Sequence, residues 1–164
     1  MKRRIVLAFL LCLILTGCGQ LGERIKEPVT FYYLRAEYQY STEFGVIASE
    51  EREASGHRDN LSYLLALYLI GPSGEELVSP IPRGVRFLSV EQADRMITLN
   101  LSDTSAVLTD AEYSLACACL TLTCLDLIGT DAVTINSGAR SVTMTRENLI
   151  LYDSSMTAPT EETQ

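Results

Sequence analysis

Apolar residues recur along this chain with two different periods, which distinguishes strands from helices. Residues 29–34 and 96–101 are rich in β-branched and aromatic side chains, and in the second segment alternate positions are apolar. Both patterns are typical of strands. Between residues 61 and 70 the apolar positions are instead three and four apart, which predicts a helix. Gly71 and Pro72 end that helix, since glycine accepts a left-handed cap and proline cannot continue the turn.

A second helix is predicted to begin at Thr109. The spacing from Thr109 to Glu112 is that of a capping box, in which each of the two side chains binds the other residue's backbone amide. Gly129 is expected to end the helix. The stripe expected to face the core is Tyr113, Ala116, Cys117, Leu120, Cys124 and Leu127.

Further strands are predicted at residues 43–53, 85–90 and 132–135, with a last edge segment within 142–152. Residues 91–94 separate two strands at hairpin length. The resulting order, β(β)αββαβ, indicates an α+β fold. We expect a two-layer sandwich, with two helices packed on one face of a mixed β-sheet.

The N-terminal segment has the pattern of a secretion signal. Lys2, Arg3 and Arg4 precede an apolar run over residues 5–15, and small residues follow it. As a helix this run is about 16 Å long, whereas a bilayer core requires roughly 20 apolar residues. The run is therefore too short to be a permanent membrane span.

The end of this leader, Leu15-Thr16-Gly17-Cys18, resembles the lipobox of bacterial lipoproteins. The resemblance implies cleavage before Cys18 and attachment of diacylglyceryl and fatty acyl chains, such as palmitate, to that residue. An ordinary signal peptide with a chance cysteine is the alternative. The predicted organisation is a signal peptide over 1–17, a lipid anchor and tether over 18–27, a folded domain over 28–152 and a disordered polar tail over 153–164.

The chain is acidic, with a net charge of −8, and the predicted leader contains cations but no anions. Removing the leader makes the remaining chain still more acidic. Such a surface argues against binding of nucleic acid and against polybasic binding to anionic lipid. The absence of tryptophan and the presence of one histidine also narrow the range of catalytic groups.

Three cysteines, Cys117, Cys119 and Cys124, form the one cluster that could carry chemistry. Their C-x-C-x4-C spacing lacks the paired knuckles of a zinc site. On a helix, Cys117 and Cys124 are about 10.5 Å apart in rise, too far for a disulfide. We interpret the three as small buried side chains packed against the sheet. No metal site and no cofactor is predicted.

Other candidate groups are weaker. His57 is interpreted as a solvated loop residue, although a dyad with Ser55 or Asp59 is the alternative. Residues 50–53 and the pair Glu75-Glu76 could be paired acids for hydrolysis or calcium binding. We expect the first to be a solvated strand end and the second a polar loop.

Tyrosines of the first strand are candidates for an interface. Tyr32 and Tyr33 would form an exposed aromatic patch if one row of that strand faced solvent, and Tyr38 and Tyr40 follow them. The alternative is that Phe31 and Tyr33 face the core.

Several segments together resemble the GerMN domain, the sporulation and spore germination domain of GerM type. They are Leu69-Ile70-Gly71-Pro72, residues 79–85, residues 97–102, Leu120-Thr121-Leu122-Thr123 and residues 133–138. The resemblance implies a small α+β fold related to ring-building motifs, a location outside the cell membrane and a role in the spore envelope or its assembly. It implies no enzyme activity, cofactor or catalytic motif. The chain has one such domain where the best-known members have two.

The leading hypothesis is a lipid-anchored, non-enzymatic interaction module. Its partners would be other envelope or sporulation proteins, or a second copy of the chain, with no nucleic acid and no evident small-molecule substrate. The alternatives are a solute- or peptidoglycan-binding lipoprotein and a hydrolase that uses His57 or the acidic pairs.

Overall fold

The computed structural model describes residues 27–37 and 45–149, which contain two helices and seven strands. The predicted leader, Cys18 and the polar tail lie outside the described residues, as do Tyr38 and Tyr40. The elements in chain order are β1 (Pro28–Arg35), β2 (Ile47–Glu53), α1 (Leu61–Leu69), β3 (Leu77–Val78), β4 (Phe87–Ala93), β5 (Met96–Leu101), α2 (Asp110–Ile128), β6 (Ala132–Ser137) and β7 (Arg140–Met144).

The strands form two sheets. One has three strands in the order β2-β1-β3, all antiparallel. The other has four strands in the order β4-β5-β6-β7, in which β5 and β6 are parallel and the outer pairs are antiparallel. The parallel pair is possible because α2 forms the crossover connection between β5 and β6.

The predicted α+β class and both helices are confirmed, but the single mixed sheet is divided in two. The hairpin between β4 and β5 is also tighter than expected. Strand β4 continues to Ala93, so that the turn consists of Asp94 and Arg95, with Asp94 at a φ of 53°. Strand β3 has two residues and was not predicted, since so short a segment has no periodicity to detect.

The reason for the division lies at one edge of β1. Strand β3 pairs with β1 only at Leu34 and Arg35. Along the rest of that edge β1 lies against α2, and the backbone N–H of Tyr32 donates to Oγ1 of Thr123 at 3.0 Å. The Tyr32 carbonyl accepts from the hydroxyl of Tyr68 at 3.1 Å. Side chains of both helices therefore bind the backbone N–H and C=O groups of β1 at this edge, where a further strand would otherwise pair.

Helix α1 begins at Leu61, as the sequence predicts, and ends at Leu69, one residue before the predicted end. Asn60 caps it, with its side chain accepting from the Tyr63 amide at 3.0 Å. The helix buries Leu64, Leu65 and Tyr68, and the Tyr68 ring stacks on that of Tyr33 with centroids 4.8 Å apart. This contact joins α1 to the inner face of the three-stranded sheet.

Helix α2 is the central element of the core. Both halves of the capping box are formed between Thr109 and Glu112, and Gly129 closes the helix in the left-handed conformation. The hydroxyl of Tyr113 donates to the carbonyl of Ile135 at 3.0 Å, which fixes the helix against β6. Residues of both helices and both sheets belong to a single apolar cluster.

Helix α2 is also long and apolar enough to cross a membrane by length and composition alone. Within the domain, 67% of its most apolar stretch is buried. Burial on that scale identifies it as a core helix, because its apolar side chains already contact the two sheets.

Candidate functional site

Polar side chains cross one face of the four-stranded sheet in a continuous row, and no helix formed by the described residues covers that face. We call this the open face. Its first row runs through Ser89, Asn100, Asn136 and Ser141, which are register partners on four successive strands. Asn100 donates to Ser89 Oγ at 2.6 Å, Asn136 donates to Asn100 Oδ1 at 2.8 Å, and Ser141 donates to Asn136 Oδ1 at 2.7 Å.

A second row of the open face lies beside the first. It runs through Glu91, Thr98, Thr134 and Thr143. The hydroxyls of Thr134 and Thr143 are 2.8 Å apart and hydrogen-bonded. The open face thus presents small polar side chains with few charges, and many of their polar groups bind one another.

Sequence reasoning missed the open face, although a signal was present. Thr98 and Asn100 alternate with Ile97 and Leu99, and residues 133–136 alternate in the same way. An alternation of this kind indicates one buried face and one polar face. Only the register of the strands shows that these polar residues are neighbours on adjacent strands.

A groove of about 410 Å³ lies between α1 and β4. We call it the β4 groove. Its lining is mainly apolar and consists of Ser62, Leu65, Ala66, Leu69, Arg86, Phe87, Leu88, Ser89 and Val90. Leu88 is 64% exposed there.

Tyr32 is the member of the predicted tyrosine pair that remains partly exposed. Its hydroxyl donates to Oδ2 of Asp126 at 2.6 Å, and Arg146 forms an ion pair with the same carboxylate. Burial and the Asp126 carboxylate together raise the pKa of Tyr32. The network joins β1, α2 and the segment after β7.

For Tyr33, the prediction of an exposed aromatic side chain is wrong. Its side chain is fully buried, and its hydroxyl donates to the carbonyl of Tyr68 at 3.1 Å. Burial raises the pKa of Tyr33 to about 12. Tyr33 therefore belongs to the core and cannot contribute to an exposed aromatic patch, because strand alternation places it on the same face as Phe31.

All three cysteines of α2 are buried and unbridged. Burial raises the pKa of the Cys117 and Cys124 thiols to about 12 and raises that of Cys119 as well. Thiols of such high pKa are poor nucleophiles, since the thiolate is the reactive form. Among residues 27–37 and 45–149, no group of three His, Cys, Asp or Glu residues is arranged to hold a metal ion.

His57 is exposed in the turn between β2 and α1, with its ring 4.3 Å from that of Tyr63. The structure brings it together with an aromatic ring rather than with a nucleophile. Glu75 and Glu76 are exposed in the loop before β3.

The prediction that residues 50–53 form a solvated strand end is wrong for two of the four. The side chains of Glu50 and Arg52 are largely buried, and the Arg52 guanidinium donates to the Gly71 carbonyl at 2.8 Å. Glu50 accepts from the Ser73 amide at 2.9 Å. Alternation along β2 explains the error, because it turns these two residues inward and leaves Glu51 and Glu53 exposed.

Comparisons with known proteins identify the fold. The profile of the family described as "Germane: Sporulation and spore germination" matches residues 30–140. No curated protein matches the sequence significantly. The tandem GerMN domains of the sporulation protein GerM from Bacillus subtilis match with a TM-score of 0.50 and 17% identity over 80% of this chain and 46% of that chain. The chain thus spans about half the length of that tandem structure.

A second solved structure is a protein from Clostridium perfringens named as a candidate lipoprotein. It matches with a TM-score of 0.44 and 17% identity, over 73% of this chain and 89% of that chain.

Proposed function

The chain belongs to the Germane family of sporulation and spore germination, and from this premise we propose that it is a non-enzymatic interaction module tethered outside the cell membrane. The observation that carries the proposal is the open face. It is a four-stranded sheet surface that neither described helix covers, and its side chains are ordered by their own hydrogen bonds. A surface ordered in advance loses little conformational entropy when a partner binds.

The placement of the chemically reactive groups supports the same proposal. The described cysteines are buried, His57 lies on an exposed turn, and the Glu50 carboxylate accepts from the Ser73 amide. Nucleophile, base and acid are therefore on separate elements and serve separate structural roles. A hydrolase would require them within hydrogen-bond reach of one another around a reacting atom.

The tether is proposed to reach the domain at the turn between β2 and α1. Glu27, the first described residue, accepts from the Ala54 amide at 3.2 Å through its carbonyl. It also accepts from the Gly56 amide at 3.1 Å through its carboxylate. A lipid on Cys18 would then hold this turn within about 30 Å of the membrane surface, the reach of some nine extended residues. Such confinement raises the effective concentration of weak contacts with other envelope proteins.

Site-specific photo-crosslinking in intact cells tests the interaction role. A photoreactive residue at Ser141 or Thr143, both exposed on the open face, is expected to capture another envelope protein. The same probe at exposed Glu75, away from that face, is the matched control and should capture less. Recovery of the bait alone at every position would contradict the proposal. Saturable binding of the protein to purified sacculi would favour the peptidoglycan-binding alternative.

The anchor has its own test, and the leader supplies a control. Replacement of Cys18 (C18A) is expected to abolish incorporation of radioactive palmitate and to release the protein from the membrane, with the biological role lost. Replacement of Cys12 (C12A), within the apolar run, should leave all three unchanged. Full function from a secreted, unlipidated C18A protein would refute the anchor's role.

A further inference from the structure

The free edge of β4 and the β4 groove together have the features of a site for an extended peptide. We propose that a segment of a partner protein, apolar and carrying an acidic residue, adds to β4 as a further strand. The inference deepens the proposed function and rests on it. It assigns a second surface, which meets the open face at Ser89, and states the chemistry of the partner segment.

The backbone of β4 is available on one side. Within residues 27–37 and 45–149, β4 pairs only with β5 and is the terminal strand of the four-stranded sheet. The two-residue turn between β4 and β5 joins the paired residues Ala93 and Met96. Counting back from Ala93 along β4, every second residue forms its backbone hydrogen bonds with β5. Val90 and Gln92 therefore direct their N–H and C=O groups outward, where an added strand would meet them.

The side chains beside this edge favour an apolar segment. The groove between α1 and β4 takes Leu65, Ala66 and Leu69 from the helix and Phe87 and Leu88 from the strand side. An added strand would direct alternate side chains toward this wall, as in other cases of strand addition. Leu88, at 64% exposed, would lose most of its contact with water.

Charge determines which segment fits. Arg86 is the one charged residue lining the groove. Within residues 27–37 and 45–149 it has no ion-pair partner, whereas Arg52, Arg95, Arg140 and Arg146 each have one. In a chain of net charge −8, Arg86 provides a local site for a carboxylate.

Two other occupants are less well matched. The chain's own last residues follow β7, which is the opposite edge of the same sheet. A second copy would bring together two molecules of net charge −8, which repel each other. Both are outcomes that the experiment separates from a foreign peptide.

The test uses full-length protein in detergent and a phage library of ten-residue linear peptides. Selected peptides are expected to combine alternating apolar residues with Asp or Glu. Their affinity should fall at least about tenfold in L88D, a loss typical of a central contact, whereas V107D, at an exposed apolar residue outside the groove lining, should bind normally. The reversal R86E should shift selection toward Lys or Arg. Thermal unfolding of each variant verifies that it is folded.

Hydrogen exchange supplies a readout specific to strand addition. A bound peptide is expected to slow exchange at the amides of Val90 and Gln92. No enrichment, identical selection by wild type and R86E, or unchanged exchange at β4 would each overturn the proposal. Stronger peptide binding after truncation at Leu149 would identify the chain's own tail as the occupant. A dimer abolished by L88D would identify a second copy.

Failure of the peptide-binding proposal at β4 can be distinguished from failure of the proposed function. Cross-linking from the open face without peptide binding at β4 would leave the interaction module intact and remove only this site. Absence of cross-linking at every position would remove the function itself.

Discussion

At the residue scale, Thr121 and Thr123 of α2 are both buried, but only the hydroxyl of Thr123 has a hydrogen-bond partner among the described residues. Thr123 Oγ1 accepts from the Tyr32 amide at 3.0 Å, at the edge of β1. Thr121 Oγ1 is buried, and no hydrogen-bond partner for it occurs in the described ranges. Both side chains are fully buried. Valine has nearly the same shape as threonine, so replacing each residue isolates the contribution of its hydroxyl.

We therefore expect T123V and T121V to have opposite effects on stability. T123V leaves the Tyr32 amide buried without an acceptor and should lower the free energy of unfolding by about 1–3 kcal/mol. T121V removes a hydroxyl that has no partner and should be neutral or stabilising. Urea unfolding of both variants against wild type measures the difference. Equal losses would show that the strand edge does not depend on Thr123.

At the element scale, Arg52 joins β2 to the end of α1. Its guanidinium donates to the carbonyl of Gly71 at 2.8 Å and lies 5.8 Å from the centroid of the Phe31 ring. The positive charge also lies where the negative end of the helix dipole is concentrated. One side chain of β2 thereby fixes the direction in which α1 ends.

Replacement of Arg52 by methionine keeps the apolar stem and removes the donors. R52M is expected to lower the free energy of unfolding by about 1.5–3 kcal/mol, as for lost hydrogen bonds to a charged group. Amide exchange in the last turn of α1 should accelerate before global unfolding. R83M, at an exposed loop arginine, is the control and should change stability by less than about 0.5 kcal/mol. Similar effects of the two variants would contradict the assigned role.

At the scale of the whole molecule, the burial of protonated thiols makes the free energy of unfolding depend on pH in the alkaline range. The Cys117 and Cys124 thiols have pKa values of about 12 in the folded domain, against 9.0 for an ordinary thiol. Above pH 9 the unfolded chain binds fewer protons than the folded one. Stability is thus fully present below pH 9 and decreases as the pH rises toward 12.

We expect the free energy of unfolding to fall by about 1.4 kcal/mol per pH unit for each such thiol above pH 9. Urea unfolding at pH 8, 9, 10 and 10.5 measures the slope. Replacement of Cys117 (C117A) should make the slope shallower without changing the pH at which the decline begins. A stability that stays constant up to pH 10.5 would show that the thiols do not titrate on unfolding.

The sequence by itself determined the local elements and the family. The capping box of α2 and Gly129 act within a turn of the helix end they define, so spacing alone predicts them. The GerMN resemblance is confirmed by the family match, because it depends on the order of such local segments.

Only the tertiary structure decided which side chains bind the backbone groups at the strand edges and helix ends. Thr123 satisfies an amide 91 residues distant, and Arg52 reaches the end of a helix across a sheet. Neither relation has a local spacing that periodicity could detect. The same holds for the inward direction of Tyr33 and for the row of Asn100 and Asn136, since both depend on which strands become neighbours and in what register.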